Sequence, residues 1–213
     1  MKQLDYQTIK EALAGQGQLV LDIIAPLTPT QWQMPTKLPG WDVLTLVAHI
    51  SRAPDGIIRY TASPVDTPAQ VDWASYFRFD GSLIAADVSK RARETVAKMS
   101  PATIGADFKH TLNQALQILE QLAPTTVIKT IVGTIELADY AVTRVLELTV
   151  HSLDLTLALN QSPRFDPAAQ ALTVATLEAL FGKPRTVDLA DDMKFIAAAT
   201  GRVPSSIRLP AFS

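Results

Sequence analysis

The 213-residue sequence contains no cysteine. Disulfides, thiolate-ligated metals and a cysteine nucleophile are therefore excluded, and any thiol the chemistry uses must come from outside the chain. Charge of one sign is equally scarce: 19 Lys and Arg stand against 21 Asp and Glu, for a net charge of −2 with no block of like charge. That balance offers no footprint for nucleic acid or an anionic membrane surface and leaves a small-molecule substrate as the expected partner. No window holds the roughly eighteen uninterrupted apolar residues of a membrane span, and the segment through Ile9 and Lys10 lacks the apolar core of a signal peptide. The expectation is a cytoplasmic protein. Repeats and low-complexity tracts are missing, and the only histidines are His49, His110 and His151. The length suits one domain with a sizeable core, or one domain with an appendage.

What is present is helical periodicity. Ile9, Leu13, Val20, Ile24 and Leu27 recur at helical spacing and predict a long amphipathic helix over about residues 3–26, with a loop over 30–40. Asp42 is a natural N-cap for a second helix carrying Val43, Leu46, Val47, Ile50 and Ile57, which Pro54 is expected to kink or end. Residues 61–80, with Pro64, Pro68, Trp73, Tyr76, Phe77 and Phe79, read as an aromatic connection with one helical turn, placed to cover a cleft. Helices follow over about 82–99 and 105–122, then a β-branched extended run over 125–132 and a long helix over about 136–160 that starts from Gly133 and Thr134. Beyond a break at 161–167 come shorter helices over 168–181 and 189–200 and a tail over 201–213. The fold class is all-α: a bundle over residues 1–160 holding the site, with a helical appendage over 161–213 packed on the same domain.

The 136–160 helix carries the chemistry. With Glu147 at zero and about 100° per residue, Arg144 falls near 60°, His151 near 40° and Asp154 near −20°, so all four share one stripe. Between Tyr140 and Asn160 no charged residue lies outside it. Such a helix is expected to be buried, and an acid, a base and a histidine set inward are costly unless paired or bound to metal.

Two readings of the stripe stay open. In one it is a ladder of Arg144/Glu147 and His151/Asp154 ion pairs, for i,i+4 pairs commonly ornament helices. In the other, Glu147 and His151 join His49 as three metal ligands, leaving positions open as catalytic sites do. Arg144 and Asp154 are then the candidate catalytic groups. Arg144 would orient the Glu147 carboxylate or meet an anionic substrate, and Asp154 would hold a ligand imidazole from behind. Nothing near His110 marks it as a ligand, and Trp32 and Trp41 are expected to pack around the loop.

The run Leu38-Pro39-Gly40-Trp41-Asp42-Val43, continuing to Val47-Ala48-His49, resembles the "P-G-W-(T/S)-V-x-D-x-V-x-H-L" opening of the second helix in the DinB-like superfamily. Arg144, Glu147, His151, Asp154 and Leu155 are similar to the "R-x-x-E-x-x-x-H-x-x-D-L" helix of its branch typified by mycothiol-dependent maleylpyruvate isomerase, and Thr200-Gly201-Arg202 to the closing "T-G-R". Asp42 stands where that branch prefers Ser or Thr. The resemblance spans about residues 5–202 and implies a four-helix bundle in which His49, Glu147 and His151 hold a divalent ion, commonly zinc. It also implies a low-molecular-weight thiol as cosubstrate. The characterised isomerases carry a separate C-terminal domain for which 213 residues leave too little room, so fold and metal are expected to carry over further than substrate.

Three functions compete: a metal-dependent transferase or isomerase that activates a small thiol, a hydrolase that activates water at the same metal, and a non-enzymatic helical homodimer module with a buried ion-pair network. A 2-His-1-carboxylate set also suits ferrous iron, but the resemblance favours zinc.

Overall fold

The structure, a computed structural model, describes residues 5–78 and 82–212, with side chains 82–85 left aside. Phe79, Asp80 and Gly81, the first four residues and Ser213 lie outside the described residues. The bundle is a ring of four helical columns: α1 (Tyr6–Ile24), α6 (Ile104–Gln121), a split column of α3 (Val43–Ile50) and α4 (Arg52–Thr61), and α7 (Leu137–Ala158). Each packs on the next: α1 on α6, α6 on α4, and α3 and α4 on α7, which closes the ring against α1. The short α2 (Pro29–Trp32) precedes α3, and α5 (Ser82–Val96) covers α3 from outside. Beyond α7, α8 (Pro167–Phe181) lies against both α1 and α7, and α9 (Asp192–Ala199) against α8 and α7. The fold is thus all-α and DinB-like, a four-helix bundle with additional C-terminal helices.

The placement of α8 explains the composition of α7. A bundle helix with one free face would carry charge there, yet Val142, Val145, Thr149, Ser152 and Thr156, opposite the charged stripe, are all buried. Thr149, Ser152 and Thr156 satisfy their hydroxyls on carbonyls of their own helix, and Ser152 also accepts from Gln16 of α1 at 2.8 Å. Small polar side chains therefore let α1 and α8 approach closely without leaving unpaired groups.

Three local expectations change and a fourth is made specific. The break in the second column falls at Ser51, and Pro54 sits in the first turn of α4, where a missing N–H costs nothing. The expected 30–40 loop begins instead with α2, nucleated by a capping box between Thr28 and Gln31. Residues 134–136 extend rather than start the long helix: β1 (Val127–Lys129) and β2 (Thr134–Glu136) pair antiparallel, and α7 begins after Glu136. The helical turn expected in the aromatic segment is a 3-10 turn over Ser75–Phe77 that buries Tyr76 and Phe77 at the site. No helix among the described residues is long and apolar enough to cross a membrane.

Candidate metal centre

His49 occupies the last turn of α3, and Glu147 and His151 stand one turn apart on α7, so the α3–α7 contact brings a second column's imidazole over the stripe. His49 Nε2 and His151 Nε2 are 3.1 Å apart; Glu147 Oε2 is 3.7 Å from the first and 3.4 Å from the second. Ligand bonds of about 2.0–2.2 Å in a tetrahedral zinc site place neighbouring donors about 3.3–3.6 Å apart; one side of the triangle lies in that range and the other two lie within about 0.2 Å of it, close to the size that a divalent ion requires. The donor chemistry fits as well. Two imidazole nitrogens and a carboxylate are a donor set that could hold a divalent cation, and a single proton shared between the two rings is the other way to bring the nitrogens together.

The two histidines are held differently. His151 Nδ1 lies 2.9 Å from Asp154 Oδ2; since an ionised carboxylate only accepts, the proton belongs on Nδ1 and the lone pair on Nε2. His49 Nδ1 is buried without a partner among the described residues, and its ring packs at a steep angle against that of Trp41, the ring centres 5.0 Å apart. Burial lowers the His49 pKa, helped by the neighbouring His151, and outweighs Glu147. For His151 burial acts the same way, but hydrogen bonds to Asp154 and Glu147 prevail and raise its pKa. Burial opposes ionisation of Glu147 too, yet the two histidines and the Arg144 charge hold its carboxyl well below the usual range. Asp154, also opposed by burial, is brought to about 2 by His151 and Arg202. The site therefore presents two ionised carboxylates, one at the triangle and one behind it.

Only one rung of the expected ion-pair ladder exists. His151 and Asp154 are joined, but Arg144 makes no ion pair with Glu147. Its Nε donates to Thr143 Oγ1 at 3.0 Å, and its guanidinium lies 4.7 Å from the Tyr140 ring centre and 5.7 Å from that of Tyr76. The Asp154 side chain is 1 % exposed and meets the triangle through His151. His110 is exposed on α6, and Trp32 and Trp41 are buried. Trp41 also donates from Nε1 to Ser89 Oγ at 3.1 Å.

Two cavities meet at the triangle. The smaller, about 230 Å³, gathers Arg52, Arg59, Arg91 and Arg144 with Tyr76 and Tyr140. Arg59 and Arg91 are neutralised by Asp55 at 2.6 Å and Asp87 at 2.8 Å, whereas Arg52 and Arg144 have no carboxylate partner among the described residues. The larger, about 710 Å³, is walled by Leu38, Trp41, Val150, Phe212 and two further arginines, Arg202 and Arg208. Of these arginines the sequence marks only Arg144, on the α7 stripe, and Arg202, in the Thr200-Gly201-Arg202 motif and without a role. Arg52, Arg59 and Arg91 come from separate turns and separate helices, and Arg202 lies 48 residues from the Asp154 it pairs with.

Residues 13–156 match the family model for the mycothiol maleylpyruvate isomerase N-terminal domain. A solved structure described as the crystal structure of the mycothiol-dependent maleylpyruvate isomerase shares the fold, with a TM-score of 0.59 at 11 % identity over 84 % of this chain and 70 % of that one. Among curated proteins none matches. His49, Glu147 and His151 fall within the matched span; Arg202 falls beyond it.

Proposed function

The chain belongs to the mycothiol maleylpyruvate isomerase N-terminal domain family, and from that premise we propose a divalent-metal-dependent enzyme that activates a low-molecular-weight thiol and delivers it to a small, negatively charged electrophile. The observation that carries this reading is the convergence of His49, Glu147 and His151 where two unlike cavities meet. Held by these three residues, a divalent ion, zinc by the family resemblance, supplies the Lewis acidity that makes a thiol nucleophilic near neutral pH. Because the sequence has no cysteine, the thiol in this reading would be exogenous, and the larger cavity beside His49 and His151 would admit it.

The protein's own groups divide the remaining tasks. Asp154 fixes the His151 tautomer, and Glu147 contributes charge to the centre. Arg144 and Arg52, free of carboxylate partners among the described residues, bind the anionic group of the electrophile, and Tyr76 and Phe77 exclude water from that side. The larger cavity takes the bulkier thiol. Addition to an activated alkene forms one C–S bond, moves the π pair to the neighbouring carbon and returns the thiol proton there. Reversal after bond rotation yields an isomer and regenerates the thiol. With an epoxide, the C–S bond forms as one ring C–O bond breaks, and the oxygen stays on the adjacent carbon and takes up the thiol proton; with an alkyl halide, the halide leaves and the thiol proton passes to solvent.

Zinc-loaded protein assayed with glutathione, bacillithiol and mycothiol against anionic chromogenic electrophiles tests the reading, and turnover that requires an added thiol is expected. Thiol-independent hydrolysis of an ester or amide, lost in Glu147→Ala, would transfer the assignment to a hydrolase.

A further inference from the structure

The ring plane of His151 depends on a residue from the far end of the chain. Asp154 is the only protein group on His151 Nδ1 among the described residues, and a carboxylate on its short stem swivels broadly about its last torsion unless both oxygens are held. Both are held by Arg202. Its Nε donates to Asp154 Oδ1 at 2.9 Å and its Nη2 to Oδ2 at 2.6 Å, the paired fork geometry that fixes a carboxylate plane.

Arg202 is itself pinned. Its Nη1 donates to the Thr200 carbonyl at 2.6 Å, and its backbone N–H to the Ala197 carbonyl at 2.8 Å. The chain reverses at Gly201 in the left-handed region, φ 74°, where a side chain would also collide with Arg208. Leu209 N–H closes the loop on the Ala199 carbonyl at 2.8 Å. The Arg202 and Asp154 side chains are 9 % and 1 % exposed, so water offers little replacement for either partner.

We propose that Arg202 is a positioning residue of the metal centre, acting through Asp154 on the orientation of His151, and that the segment after α9 is a working part of the site. This rests on the metal reading above. It extends that reading beyond the residues matched by the family model, which end at 156. The same segment walls the larger cavity through Phe212, whose ring stacks on Phe77 at 5.7 Å, so the residues that orient the ligand also shape the chamber beside it.

The test is a double-mutant cycle on zinc affinity, measured by chelator competition on the full chain, with the Co²⁺ absorption spectrum as a reporter of ligand geometry. Arg202→Gln is expected to weaken zinc binding about 10-fold or more and to alter the Co²⁺ bands, as loss of an outer partner of a ligand histidine does. Asp154→Asn combined with Arg202→Gln is expected to be no weaker than Asp154→Asn alone, because Arg202 acts only through that carboxylate. Arg202→Lys keeps the charge without the fork, so it guards against a folding failure of Arg202→Gln and is expected to show the same spectral change. Wild-type affinity and spectrum in both Arg202 variants would overturn the inference while leaving the metal reading intact, as would additive losses in the double variant. A wild-type protein that binds no zinc would overturn both.

Discussion

The Nε2 atoms of His49 and His151, 102 residues apart in sequence, lie 3.1 Å from each other with the Glu147 carboxylate beside both. Two lone pairs at that distance repel unless a proton or a cation lies between them, and the choice separates a metal centre from a hydrogen-bonded core network.

That choice makes His151→Ala informative. The variant is expected to stay folded and helical, because the bundle core is closed by apolar residues around α7, and to lose zinc uptake. Zinc should raise the melting temperature of the wild type and leave that of the variant unchanged, since only a ligand that binds the native state stabilises it. A core network predicts the reverse, a lower melting temperature with no difference in zinc response.

Asp154→Asn keeps the shape of the side chain and removes its charge. Zinc affinity is expected to fall about 10- to 100-fold with His49, Glu147 and His151 intact, read by the same chelator competition. An unchanged affinity would reduce the His151/Asp154 pair to a structural rung.

In the arginine chamber, Arg144→Gln and Arg52→Gln are each expected to raise KM for an anionic electrophile about 10- to 100-fold, the worth of a hydrogen bond to a charged group, with little change for an uncharged one. Steady-state kinetics on a matched pair of electrophiles decides it. Equal losses on both members of the pair would remove the chamber from substrate binding.

Asp139, half-buried in the first turn of α7, is raised to about 6 by burial and by Glu136 and Asp72. Its folded value exceeds the unfolded one, so the fold favours the protonated form. The resulting penalty is absent below about pH 4 and complete above about pH 6. Asp139→Asn is therefore expected to stabilise the protein at pH 7.5, on the order of 1 kcal/mol after discounting for solvent screening, and to be neutral at pH 4. Urea unfolding at the two pH values reads the difference, and a variant destabilised at pH 7.5 would contradict it.

What the sequence revealed depended on whether the signal lay within one element. Glu147, His151 and Asp154 share a face of one helix, so their alignment follows from 3.6 residues per turn. His49 entered through its motif, but its approach to within 3.1 Å of His151 is a product of how α3 packs on α7. Arg144 shares the stripe in projection, yet its long side chain turns to the Tyr140 ring, where a cation meets a π face, and leaves Glu147 unpaired with it. Arg52, Arg59 and Arg91 are assembled from separate turns and helices and leave no periodic trace, and the Thr200-Gly201-Arg202 motif gives no sign that Arg202 meets Asp154, 48 residues away. Pro54 misled because a proline's effect depends on whether it falls inside a helix or in its first turn, and the break at Ser51 decides that.

The proposed chemistry requires a metal at His49, Glu147 and His151. Elemental analysis of the purified protein, alongside His49→Ala and Glu147→Ala, is expected to find about one equivalent of a divalent ion, zinc foremost, per wild-type chain and almost none in either variant. A folded wild-type protein that neither carries nor takes up a stoichiometric ion would contradict it and leave His49, Glu147 and His151 as a buried hydrogen-bond network.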